Sequence, residues 1–145
     1  MSAVLVDTNV LVYAAARNVE AKGRTARAVL RALGPRVILS AQVLAEYANV
    51  LTHPSKHAVP AEQVALQVGR LSSSWRILPL STAVVVTALH AMPRWQMPYY
   101  DAQIWAAAAL NRIPVVLSED FPSGATLGGV RFVNPFEPGF DLEAL

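Results

Sequence analysis

Short apolar runs separated by stretches of helical periodicity constrain this chain more than any other feature. The runs are Ala3–Val6, Val37–Leu39, Arg76–Leu80, Pro114–Leu117 and Val130–Val133. Each is too short for a helix and too apolar for a loop, so each reads as a buried strand. Between them the spacing predicts helices over Val10–Arg17, Val19–Leu33, Ala41 to about Thr52, Pro60 to about Leu71, Ser81 to about Met92, and Tyr99–Asn111. Gly34-Pro35 stops the second helix, and Ser40 and Ser81 are N-caps. Pro93–Pro98 reads as a loop carrying Arg94 and Trp95, and Ser118–Gly129 as a loop with three glycines. Strands alternating with helices predict an α/β three-layer sandwich with a mostly parallel sheet. At 145 residues the whole chain, 1–145, is expected to be one domain. In such sheets ligands bind outside the carboxyl ends of the strands, so chemistry is sought just after each run.

Composition narrows the classes. There is no cysteine, which excludes a disulfide framework, a thiolate zinc site, an iron–sulfur cluster and a cysteine nucleophile. Hydrophobic content of 54% with 15% charged residues excludes intrinsic disorder. Unbroken apolar runs such as Ile104–Leu110 fall far short of the roughly 20 residues a membrane span needs. The N-terminal stretch has no Lys or Arg ahead of its apolar residues, and Asp7 and Asn9 interrupt it. It therefore reads as part of the fold and not as a signal peptide, and a cytoplasmic location is expected. The net charge of +2 is too mild to argue nucleic-acid binding by itself. Ten of the twelve cations are Arg, however, the residue suited to bidentate phosphate contacts.

The acids are few, so their places matter. Asp7 directly follows the first run; Ser118-Glu119-Asp120 directly follows the Pro114–Leu117 run. Both belong at the same edge of a parallel sheet, although an Asp after a strand also makes an ordinary helix N-cap or Asx turn. Glu46 lies three residues after Val43 and four before Val50, on the inward face of a helix expected to bury Val43, Tyr47 and Val50. Glu is almost never buried without a partner, unless it snorkels at the stripe's edge. Asp101 opens the Ala-rich helix and shares a face with Ile104, Trp105 and Ala108; a helix N-terminus favours an acid there but does not turn it inward. Four carboxylates within about 5 Å repel by about 3 kcal/mol per pair at an effective dielectric of about 20. A fold tolerates that only by protonating some of them or by holding a divalent cation. Oxygen ligands without Cys suit Mg²⁺ or Mn²⁺, and a carboxylate-held cation is the apparatus of phosphodiester hydrolysis.

Taken together, Val6-Asp7-Thr8-Asn9, inward Glu46, Tyr100-Asp101-Ala102, Val116-Leu117-Ser118-Glu119-Asp120 and the terminal Gly129–Phe136 segment resemble PIN-domain ribonucleases of the VapC toxin type. The resemblance runs from about residue 3 to 136. It implies Mg²⁺- or Mn²⁺-dependent cleavage of RNA, with Asp7, Glu46, Asp101 and Asp120 as the acidic cluster and Asp7 and Asp101 as the leading metal ligands. It implies that Asn9 orients Asp7 and that the Ser118 hydroxyl supports the site where the family often has Thr. Glu119 and Asp120 are adjacent, which leaves the fourth position open between them; spacing from Ser118 favours Asp120. The resemblance further implies a homodimer and a cognate antitoxin whose C-terminal segment blocks the pocket. As mechanism it suggests a water nucleophile, with Glu46 the candidate to position it or take its proton.

Other features are weighed against plainer readings. Arg94 and Trp95 could hold phosphate and stack a base, or Trp95 could cover the core edge. Arg17, Arg24, Arg27 and Arg31 could follow an RNA backbone, but a solvated helix face is the default. Pro54 between His53 and His57 argues against a zinc pair. His90 reads as structural, and Tyr99 and Tyr100 as core. No P-loop and no G-x-S-x-G elbow occurs. A phosphoacceptor domain would need a Lys after a late strand, yet the only lysines are Lys22 and Lys56; an aspartyl phosphotransferase would need Asp-x-Asp where this chain has Asp7-Thr8-Asn9. The remaining alternatives are a PIN nuclease for RNA processing or DNA without a toxin role, and a PIN-fold binding module that has lost its metal; the presence of all four acids argues against the last.

Overall fold

A computed structural model describes residues 2–16 and 20–145. Among these residues six strands form one sheet: β1 (Val4–Val6), β2 (Val37–Ser40), β3 (Arg76–Leu78), β4 (Val115–Leu117), β5 (Thr126–Leu127) and β6 (Val130–Val133). The spatial order is β3-β2-β1-β4-β6-β5, parallel throughout except for β5 against β6. The chain lays β2 and β3 to one side of β1 and then crosses to place β4 on the other, so the strand order reverses between β1 and β4. That switch point opens a crevice at the carboxyl edge.

The helices are α1 (Thr8–Ala15), α2 (Glu20–Leu33), α3 (Ala41–Thr52), α4 (Ala61–Ser74), α5 (Thr82–Trp95) and α6 (Tyr99–Leu110). Because strand side chains alternate between faces, the buried strands feed two cores. Val4, Val6, Val37, Leu39, Val115 and Leu117 pack beneath α1–α4. Leu5, Ile38, Val116 and Phe132 pack beneath α5 and α6. The expected three-layer sandwich is what forms.

Three local expectations change. The helix begun at Ser81 runs past Pro93 to Trp95, so Arg94 and Trp95 sit on its last turn and not in a loop. Proline removes one helical hydrogen bond, which is tolerable that close to an end. The helix then stops because Gln96 turns left-handed (φ +52°) and the amides of Gln96 and Met97 close onto Met92 O. The 118–129 stretch is not all loop: β5 pairs with β6 across Gly128-Gly129, whose φ values of +54° and +82° match a type I′ turn. Two residues are too few to show periodicity. The third run ends at Leu78, short of Leu80. The expected boundaries at Arg17 and Val19, and the Arg17 side chain, lie outside the described residues.

Candidate active site

Asp7 extends β1 by one residue: its amide donates to Leu117 O at 2.9 Å, continuing the ladder with β4. It then turns the chain into α1 as the N-cap, its Oδ1 accepting from the Thr8 amide at 2.7 Å. The cap and the inward carboxylate are thus one side chain. Oδ2 accepts from the Ser118 hydroxyl at 2.7 Å and from Asn9 Nδ2 at 3.4 Å. Asp7 is 4% exposed, and burial pushes its carboxyl up to about 6. The bonds from Ser118 and Thr8 pull it down, and the charges of Glu46 and Asp120 push it further up.

Asn9 is the cross-brace. Besides Asp7 it donates to Ser118 Oγ and to Asp120 Oδ2, each at 3.1 Å. Its Oδ1 accepts from the Glu119 amide at 3.4 Å. Ser118, fully buried, accepts from the Asp120 amide at 3.1 Å, so the turn after β4 is locked to the turn after β1. The same turn separates its two acids. Glu119 points to Lys22, with Nζ 2.7 Å from Oε2, and accepts from the Tyr13 hydroxyl. Asp120 faces Asn9 and Asp7. Geometry therefore brings Asp120, and not Glu119, to the cluster.

Glu46 reaches the same crevice from α3. Val43 and Tyr47 are buried on its helix face, while Val50 is half-buried and Leu51 is buried instead. Its Oε2 accepts from the Thr8 hydroxyl at 2.9 Å and its Oε1 from Gln42 Nε2 at 2.8 Å. Asp101 arrives from the first turn of α6. Its carboxyl is raised by burial first, then by the charges of Asp120 and Glu46. The two strand ends and two helices thus bring all four expected carboxylates into electrostatic range.

Among the described residues, no three His, Cys, Asp or Glu side chains form a group that could by themselves hold a metal ion. Mg²⁺ does not require one, since it is usually held by one or two carboxylates and completes its shell with water and phosphate oxygens. A buried Asp7 whose anion is resisted by its surroundings, beside three more oxygen donors, fits such a cation. It does not fit the closed four-ligand sphere of a structural zinc.

The structure does not bring Arg94 and Trp95 to the carboxylates. Trp95 packs on Trp105 near the Gly128 turn, which precedes β6 and so lies at the amino end of the sheet. Arg94 lies 4.6 Å over the Trp95 ring. Trp95 has the plainer place, at the core edge. Arg24, Arg27 and Arg31 are solvent-exposed, and Arg27 donates to Ala14 O. His53 and His57 lie in the turn after α3, and His90 is exposed on α5. Tyr99 packs on the core, but Tyr100 is 66% exposed and is not a core residue. The sequence reading overlooked Thr8, Gln42 and Gln103. Only Gln42 carried a cue, one helical turn before Glu46 on the same face.

Residues 4–121, well over half the chain, match the PIN domain. A toxin–antitoxin complex from Klebsiella pneumoniae superposes with a TM-score of 0.69 at 20% identity, covering 94% of this chain and 100% of that one. VapC20 of Mycobacterium tuberculosis, a sarcin–ricin loop cleaving toxin, gives 0.68 at 20% identity over 87% and 98%. DNA-bound VapBC of Salmonella typhimurium gives 0.68 at 17% identity over 93% and 99%. A search of curated proteins found no match. The domain match and the shared fold together establish that this chain belongs to the PIN-domain family.

Proposed function

We propose that this protein is a divalent-metal-dependent endoribonuclease and the toxin of a toxin–antitoxin module. The observation that carries the reading is the buried Asp7 carboxylate, with Glu46, Asp101 and Asp120 gathered round it at the switch point of the sheet. Asp7 and Asp101 would hold Mg²⁺ or Mn²⁺ with Asp120 and Glu46 beside them, and the bound cation would supply Lewis acidity toward water and phosphate oxygens. Ser118 and Asn9 keep Asp7 Oδ2 aimed by donating to it, and the Ser118 bond works against the upward push of burial on its carboxyl. Glu46 is fixed through both oxygens by Thr8 and Gln42, yet each oxygen keeps a free lone pair. That equips it to take the proton of the attacking water.

The toxin reading is supported by neighbours that are toxin–antitoxin proteins. An antitoxin segment would cover the acidic crevice. A second copy would cover the β3 edge, where Leu66 of α4, Leu80, and Val86 and Leu89 of α5 are about half exposed or more. No helix among the described residues is long and apolar enough to cross a membrane, and the proposed place of action is the cytoplasm. The test is cleavage of total RNA by protein free of bound inhibitor, with and without Mn²⁺ or Mg²⁺, beside Asp7→Asn and Asp101→Asn. Metal-dependent cleavage lost in both variants supports the reading. A wild type that binds no divalent cation and cuts nothing overturns it in favour of a binding module.

A further inference from the structure

Gln42 and Gln103 are 8% and 4% exposed. Gln42 stands on α3, which packs on one core; Gln103 stands on α6, which packs on the other. Their amides meet where the two helical layers approach, at the carboxyl end of the sheet. Gln103 Nε2 donates to Gln42 Oε1 at 2.7 Å. Gln42 Nε2 donates to Glu46 Oε1 at 2.8 Å and to the Tyr100 carbonyl at 3.1 Å. The orientation of the Gln42 amide has only one solution: turned over, its oxygen would face a carboxylate and a carbonyl, and its nitrogen would face another donor.

We infer that Gln42 and Gln103 are positioning residues, an amide relay that bridges the helical layers and fixes Glu46 relative to Asp101. Gln42 grips α6 at residues 100 and 103, which bracket Asp101, and grips Glu46 with the same nitrogen. The separation of two acids that share no helix and no strand is thereby set by three hydrogen bonds. Buried polar groups in such a network are costly to leave unpaired, so the arrangement is rigid.

The inference rests on the nuclease reading, and the test separates the two. Gln42→Met and Gln103→Met keep volume and remove the amides. Partners behind metal ligands typically matter 10- to 100-fold, so Gln42→Met is expected to lower kcat roughly 10- to 100-fold and Mn²⁺ affinity, read by calorimetry, about tenfold. KM should move less than about threefold, since no substrate contact is touched. Gln103→Met alone should lower kcat severalfold. In the Gln42→Met background it should add less than about twofold, because Gln103 acts only through Gln42. Gln42→Glu keeps the acceptor for Gln103 but loses both donors, and should lose as much as Gln42→Met. Near-ultraviolet circular dichroism reports folding. If Gln42→Met does not fold, Gln103→Met, which touches no carboxylate, carries the test alone through its Mn²⁺ affinity. Additive losses, or wild-type kcat and Mn²⁺ affinity in folded variants, overturn the relay and leave the nuclease standing. A wild type that neither binds Mn²⁺ nor cuts RNA overturns both.

Discussion

The site has two halves, built on different principles. The strand-end half, Asp7, Asn9, Ser118 and Asp120, stands on β1 and β4, which are hydrogen-bonded neighbours. Its side chains bond one another directly, and its two main anchors are almost fully buried. The helical half, Glu46 and Asp101, stands on α3 and α6, on opposite faces of the sheet. No hydrogen bond joins these two acids directly; the glutamine pair and the Tyr100 carbonyl bridge their helices. Adjacent strands hold their ends to fractions of an ångström through the ladder itself. Helices in separate layers have no ladder between them and need a purpose-built bridge. The first half should therefore fail when a carboxylate is removed, and the second when either a carboxylate or its bridge is removed.

The largest effect is expected at Asp7. Asp7→Asn keeps the N-cap acceptor for Thr8 but removes the charge, and should reduce cleavage by at least roughly 100-fold. The same change should stabilise the metal-free protein. The Asp7 carboxyl is raised from 3.8 to about 6, so the folded state holds its proton more tightly than the unfolded chain does. Its contribution is fully present below about pH 4 and is lost as pH rises through about 6, a swing of up to about 3 kcal/mol. Metal-free wild type should melt lower at pH 7.5 than at pH 5, by several degrees for a chain of this size. Asp7→Asn should flatten that slope, and added Mn²⁺ should raise the wild-type midpoint but not that of the variant. Thermal scans at both pH values check this; a variant that melts below metal-free wild type at pH 7.5 would count against a strained anion.

Next in size is Glu46→Gln, which keeps the acceptor toward Thr8 but removes the proposed base. A lost general base costs about 100- to 10,000-fold in kcat, and the lower end is expected if Glu46 only positions the water. Single-turnover cleavage gives the number, and full retention would remove Glu46 from the chemistry. Ser118→Ala should be milder on activity, about tenfold, with Asp7 still capped by Thr8 and touched by Asn9. It should cost about 1–3 kcal/mol of stability, because Asp7 Oδ2 and the Asp120 amide lose a buried partner. Denaturant unfolding beside cleavage separates those two readouts.

The difference between the halves also explains what could be read from residues alone. Asp7 and the 118–120 turn were legible because an acid straight after a buried strand has only one place to go, the carboxyl edge. Glu46 was legible in direction, because periodicity with Val43 and Tyr47 fixes the face of a helix. The glutamine relay was not legible: whether Gln42 meets Gln103 depends on how two helical layers converge beyond the sheet, which no local pattern encodes. Pro93 ordinarily breaks helices, which is why the sequence suggests a loop at Trp95; the last turn of α5 tolerates it. Spacing from Ser118 favours Asp120 over Glu119, but the partners that draw Glu119 away, Lys22 and Tyr13, lie about a hundred residues earlier, and the helical pattern of α1 and α2 does not announce their approach.

That last pair supplies the smallest expected effect and the sharpest contrast. Asp120→Asn removes an acid braced by Asn9 beside Asp7, and should weaken Mn²⁺ binding and cleavage about tenfold. Glu119→Gln, one residue away, removes a charge that faces Lys22 and Tyr13 on the far side of the turn. Lys22 is 43% exposed, so the ion pair is screened and its loss should cost only about 0.2–1 kcal/mol. Gln can still accept from Tyr13, and Lys22 keeps its places 4.9 Å and 5.5 Å over the Tyr13 and Phe136 rings. Cleavage by Glu119→Gln should therefore stay within about twofold of wild type. If Glu119→Gln instead falls as far as Asp120→Asn, the turn does not insulate one acid from the other. Lys22 and Tyr13 would then belong to the site, and the strand-end half would extend along α1 to α2.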